Sequence, residues 1–139
     1  MTILDEVVKE LGAEVISMDG DPLSWPLKDR PRLYIAGYYS ANPAQGTANA
    51  ASWFRKALDA GWLPVVPHVN LLLDILCPQT PDFWYQFDMS ELETCAAIFV
   101  CPDSLTAHST GVAEEIKQAN RVGMPVFYTM VPAKDRYEI

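Results

Sequence analysis

Chemistry in this chain is best sought first in the segment Ser109-Thr110-Gly111-Val112-Ala113-Glu114-Glu115-Ile116-Lys117-Gln118-Ala119-Asn120-Arg121-Val122. On a helical wheel Gly111, Val112, Glu115, Ile116, Ala119 and Val122 share one face, while Glu114, Lys117 and Arg121 share another. Glu114 is an ordinary solvent-face partner for Lys117, but Glu115 falls inside an apolar stripe, where a charge is not carried without a reason. A carboxylate held at the first turns of a helix can act as a nucleophile or exchange a proton. The plain alternative is a carboxylate that reaches the stripe edge or a neighbouring subunit. Ser109 and Gly111, six and four residues ahead of Glu115, make a helix start: a hydroxyl at the N-cap, then a residue without Cβ that lets a ligand approach free N–H groups. Capping alone by Ser109 or Thr110 would have the same appearance.

The elements around that helix predict where it sits. Arg32 to Gly37 is a short strand closed by glycine, with Tyr34 near its end, and a loop follows from Tyr38 to Gly46. Ala48 to Ala60 is expected as a helix with Ala51, Phe54, Ala57 and Leu58 inward, and Leu63 to Val66 as a second strand despite Pro64. Strand, helix, strand is the βαβ pattern of a parallel sheet. Pro67 to Pro81 is irregular around one apolar turn, Leu71 to Leu76, and Phe83, Trp84, Tyr85 and Phe87 form an aromatic cluster suited to core or subunit interface, with a wall over a purine ring as its minority use. Asp88 to Cys95 is expected as a helix opened by Asp88, then Ala96 to Cys101 as a strand, Thr110 to Val122 as a helix and Pro125 to Thr129 as a fourth strand. The expected fold class is α/β, a flavodoxin-like or Rossmann-like three-layer arrangement on a parallel sheet. Residues 1–31 form an extension with an amphipathic helix from Ile3 to Leu11, a turn-rich stretch from Ser17 to Pro31 and Trp25 as anchor, and 32–139 form the α/β domain, ending in a tail from Pro132.

Composition narrows the partners. The formal charge of −8, from 18 acidic against 10 basic side chains, opposes long nucleic acid. A mononucleotide stays open to it, because one phosphate can be held by backbone N–H groups at a helix start. Cys77, Cys95 and Cys101 have no CxxC spacing and are expected as buried small hydrophobes in a reducing, cytoplasmic setting. No window approaches a membrane span. HExxH, paired CxxC, GxGxxG and GxxxxGK[ST] are all missing, so neither a metal site nor a cofactor is expected.

Five pieces in order carry a resemblance: Tyr34-Ile35-Ala36-Gly37; Pro67-His68; Asp88 leading into Ile98-Phe99-Val100; Ser109-x-Gly111-x-x-x-Glu115-Ile116-x-x-Ala119; and Gly123-x-Pro125-Val126. This order resembles the nucleoside 2-deoxyribosyltransferase superfamily, including its short nucleotide N-glycosidases and phage-like relatives, over roughly residues 32–128. The resemblance implies a flavodoxin-like core and an enzyme that breaks an N-glycosidic bond by double displacement, as hydrolase or transferase. It implies Glu115 as the catalytic glutamate, Tyr34 as its neighbouring tyrosine and Asp88 as the group that handles the leaving base. Half-buried strand packing is the rival role for Tyr34, and helix capping for Asp88. Substrate contacts are implied at Gly37 and Asn42 on the first strand-end loop, which here runs Tyr38-Tyr39-Ser40-Ala41-Asn42 instead of a short glycine-rich turn. His68 is suited to substrate hydroxyls or phosphate, and His108 to the same work or to none. Ser109 stands where the transferases usually have aspartate and resembles the monophosphate hydrolases, where serine and the following helix start hold phosphate; with Gly111 it shifts the expected substrate to a (deoxy)nucleoside 5′-monophosphate. The expected partners are that small molecule and a second copy of the chain in a homodimer or larger assembly. The alternative class is a non-catalytic nucleotide-binding or sensing module.

Overall fold

The two central strands alternate as a sheet covered on both sides requires. In β1 (Arg32–Ala36) Leu33 and Ile35 pack into one core and Tyr34 and Ala36 into another; in β3 (Ala97–Val100) Ala97 and Phe99 join the first core, Ile98 and Val100 the second. Both layers are dry, with Leu33, Tyr34, Ile35, Ile98 and Phe99 almost wholly removed from water. The structure, a computed structural model, describes residues 22–39 and 41–136. The expected helix from Ile3 to Leu11 and most of the extension therefore lie outside the described residues.

Four parallel strands, completed by β2 (Leu63–Val65) and β4 (Val126–Phe127), run in the order β2-β1-β3-β4. Pro64 is tolerated because β2 is an edge strand. Helix α1 (Pro43–Asp59) covers the first core through Ala50 and Ala57, while α3 (Pro81–Glu93) and α5 (Thr110–Arg121) cover the second through Leu92, Val112 and Ala119. Between β2 and α3 stands α2 (Asn70–Leu76), and before α5 a single turn, α4 (Ser104–Ala107). The result is the expected three-layer α/β fold in the flavodoxin-like strand order.

Several sequence expectations are corrected in detail. Helix α1 starts at Pro43, with the Asn42 side chain accepting the Gln45 N–H at 3.2 Å, so the expected loop up to Gly46 is already helical. Its inward residues are Gly46, Ala50 and Ala57 with Trp53 beside them; Ala51 and Phe54 face water. Small residues, not the largest apolar ones, set this face, because they let the helix approach the sheet. Helix α3 starts seven residues before Asp88, capped by the Thr80 hydroxyl accepting the Phe83 N–H at 3.1 Å, so Asp88 is an interior helical residue and not a cap. The apolar turn from Leu71 to Leu76 is a full helix, and β4 is only two residues long. Beyond it Ala133 is fully buried and its N–H donates to Ala60 O at 2.8 Å, so this part of the expected tail belongs to the core. Cys95 and Cys101 are buried as expected, but Cys77 is exposed. Among the described residues no helix is long and apolar enough to cross a membrane.

Candidate active site

Order β2-β1-β3 makes the crossover from β1 run one way and that into β3 the other, and the crevice so opened lies at the carboxyl ends of the two strands. A cavity of about 470 Å³ occupies it, within the usual ~300–1,000 Å³ of small-molecule sites. Its lining comes from the loop after β1 (Gly37, Tyr38, Tyr39), the turn after β2 (Pro67, His68), the inner faces of α2 and α3, and the start of α5.

Alternation along β1 points Tyr34 into the second core, beneath α5, and the inward stripe of α5 brings Glu115 to the same place. Tyr34 is fully buried and Glu115 half-buried with its Oε2 closed off from solvent. Neither Tyr34 Oη nor Glu115 Oε2 has a hydrogen bond of ordinary geometry, although the two groups interact: the phenol favours the Glu115 carboxylate, and the carboxylate raises the Tyr34 pKa on top of a larger effect of burial. Burial dominates at Glu115 as well, pushing it up to about 8, with the charge of Asp88 adding to the rise.

Asp88 reaches the cavity because Trp84, Asp88 and Leu92 form one stripe of α3, spaced four residues apart. Asn70, at the start of α2, donates to Asp88 Oδ1 at 2.6 Å. Burial raises Asp88 to about 6, against the stabilising bond from Asn70. Two carboxyl groups on two packed helices thus face one cavity, both raised by burial and Glu115 the further of the two.

His68 is buried, and its Nε2 lies 3.1 Å from Tyr38 O. Because a carbonyl only accepts, Nε2 carries the proton. Burial lowers the pKa of the ring against the opposing pull of the Tyr38 and Gly37 backbone, so it is neutral near pH 7, and among the described residues Nδ1 has no hydrogen bond of ordinary geometry. Its carbonyl partner is held in place from other sides: Tyr38 N–H donates to the buried Thr106 hydroxyl at 3.2 Å, and a Cβ at Gly46 would lie 2.3 Å from Tyr38 O. Gly46 is therefore required for the close approach of α1 to this loop.

At α5, Ser109 Oγ accepts the Val112 N–H at 3.3 Å and Ser109 O accepts the Ala113 N–H at 3.1 Å. Thr110 and Gly111 line the cavity, and a Cβ added to Gly111 would meet nothing nearer than Ser109 Oγ at 3.8 Å, so a ligand can approach the helix start. Among the described residues no Lys or Arg lines the cavity. Among the described residues no His, Cys, Asp and Glu side chains gather as a metal-binding set.

A family described as a domain of unknown function (DUF7768) matches residues 31–129. The chain belongs to this family. No curated protein and no solved structure matches it. In this DUF7768 domain the cavity gathers Glu115, Asp88, Gly37, His68, Ser109 and Gly111, with Tyr34 packed beneath Glu115. Asn42 is not among the lining residues; its side chain is spent on capping α1. Gly37 has a packing reason of its own, since a Cβ there would come within 3.2 Å of Cys101 Sγ. Exposed His108 also lines the cavity. Sequence reasoning missed Asn70 and Asp74 as wall residues of the DUF7768 site; of the aromatic cluster, for which a wall is the minority use expected above, the cavity takes Trp84. Thr80-Pro81 was the available signal for Trp84, because a cap and first-turn proline there put Trp84 and Asp88 on one stripe. For Asn70, eighteen residues from Asp88, no local signal exists.

Proposed function

We propose that the protein is an N-glycosidase or deoxyribosyltransferase acting on a (deoxy)nucleoside 5′-monophosphate or nucleoside. The carrying observation is that Glu115 and Asp88, two carboxyl groups raised above the ordinary carboxylate range by burial, face one cavity at the β1/β3 crevice together with the start of α5, with Tyr34 packed against Glu115. With the sugar against Glu115, the carboxylate attacks C1′, the C1′–N bond breaks, and its electron pair leaves with the base, which takes the proton held at Asp88. Water or a second base then opens the glycosyl ester, and two inversions retain configuration. Burial favours the protonated form at both carboxyls; the positive charge developing at C1′ favours an ionised Glu115, and Asp88 keeps its proton for the base. Tyr34 orients the nucleophile, and the start of α5 with Ser109 receives the 5′-phosphate. The three free cysteines suit cytoplasmic work, and a homodimer would shield the site's rim.

The test is a panel of nucleoside monophosphates and nucleosides assayed for free base. Wild-type protein should release base from at least one member, and Glu115→Ala should lower that rate by roughly a thousandfold or more. Release that survives Glu115→Ala unchanged would refute the mechanism. The burial that raises Glu115 opposes an ionised nucleophile and so favours a second reading, a non-catalytic nucleotide-binding module, which gives saturable binding and no turnover.

A further inference from the structure

Part of the cavity wall has no duty in the mechanism above. Asn70, Leu71 and Asp74 turn the inner face of α2 to the cavity, and Trp84 faces it from α3. Asp74 Oδ1 accepts two hydrogen bonds, from the Gln79 N–H at 2.9 Å and from Trp84 Nε1–H at 2.6 Å. Both fall on one oxygen, and among the described residues none falls on Oδ2, which can accept from a ligand. The two bonds also hold the Asp74 carboxyl below the usual carboxylate range, which keeps it ionised and purely an acceptor at neutral pH. They fix the indole as well, and Phe83 and Phe87 meet its ring edge to face at 5.0 and 5.6 Å.

Trp84 and Asp88 are four residues apart on one helix, hence about 6 Å along its axis. If Asp88 serves the departing base, that base lies beside Asp88 and its flat ring extends along α3 toward Trp84 and Asp74. We propose that Trp84 and Asp74 form the subsite that reads the nucleobase, Trp84 as a flat wall for the ring and Asp74 Oδ2 as acceptor for an exocyclic amino group. The site therefore takes adenine or cytosine in preference to hypoxanthine or uracil, whose carbonyl oxygens would confront a carboxylate oxygen with no proton between them. This rests on the glycosidase reading for the position of the base and adds the class of base to it.

Two matched pairs test it: adenosine against inosine 5′-monophosphate, and cytidine against uridine 5′-monophosphate. Equilibrium binding is measured on the Glu115→Gln protein, so that turnover does not interfere. The amino member of each pair should bind roughly tenfold tighter or more. Adding Asp74→Asn keeps Oδ1 on its two donors and puts an NH2 where Oδ2 was, so the preference should vanish or invert. Trp84→Phe, which keeps a ring but removes one of the donors that orient Asp74, should reduce the preference, and it serves if the Asn variant does not fold. Equal binding within both pairs, an unchanged preference in the folded variants, or no saturable binding by any of the four nucleotides would overturn the proposal. Base release is measured separately with Glu115 intact: the amino preference without release removes the glycosidase reading and leaves the base-reading subsite standing.

Discussion

Glu115 is a residue whose position is unfavourable for the fold alone. Its pKa is raised in the folded protein, up to about 8 from the ordinary 4.5, because burial outweighs the help from Tyr34. In an unfolded chain the carboxyl ionises above about pH 4.5, whereas the folded chain keeps its proton up to about 8, so between these values the native state binds more protons and stability falls as pH rises. Glu115→Gln removes the ionisation and its cost. The variant should match wild type near pH 4.5 and become progressively more stable than it toward pH 8, by an amount of order 2–4 kcal/mol. Thermal or urea melts across that range check this, and a gap independent of pH would show that Glu115 is not held in a dry site. A stabilising loss of a carboxylate is the mark of a group kept for function.

At the scale of elements, two helix features carry separable duties. Ser109 already caps α5, and the phosphate proposal gives it a second task. Ser109→Ala should lower stability by about 1 kcal/mol whichever holds, but only the phosphate role lowers kcat/KM for a nucleoside 5′-monophosphate roughly ten- to a hundredfold more than for the matching nucleoside. Equal losses on both substrates, at fixed ionic strength, would leave Ser109 a cap alone. Helix α1 depends on Gly46 in a different way. A methyl group there would collide with the carbonyl that fixes His68, so Gly46→Ala should destabilise the domain by about 1–3 kcal/mol and weaken ligand binding along with it. Melting curves and a titration with the best nucleotide of the panel read both effects.

For the whole molecule, the outer faces of α2 and α3 stand out. Leu72, Ile75 and Leu76 on α2 are more than half exposed, and Phe83, Tyr85 and Phe87 on α3 are exposed too, so the aromatic cluster is not core. These side chains border helices whose inner faces wall the cavity, and a second copy covering them would bury the apolar surface and shelter the site together. Size exclusion with light scattering at micromolar protein should show a dimer or larger species, shifted toward monomer by Ile75→Glu. A clean wild-type monomer would remove this assembly.

The order of strands and helices was enough to announce the α/β class, and the period of α5 the inward aim of Glu115, because side-chain direction in a helix follows from local geometry and spacing. The period of α1 misplaced Ala51 and Phe54, because the small residues that approach the sheet set its inner face. The run of strand formers from Arg32 to Gly37 announced the strand, but that Tyr34 is fully buried, with Leu33 and Ile35 in one core and Tyr34 and Ala36 in the other, came from the structure. Asn70 beside Asp88, Asp74 clamped to Trp84, and Gly46 under the Tyr38 carbonyl belong to the tertiary structure alone. Each joins segments separated by a turn or a whole element, and no local preference of either partner encodes the other. The pKa shifts followed the same division: Glu115 and Asp88 are ordinary carboxyl groups in the chain, and only the packing of α3 and α5 around one cavity removes them from water and raises both.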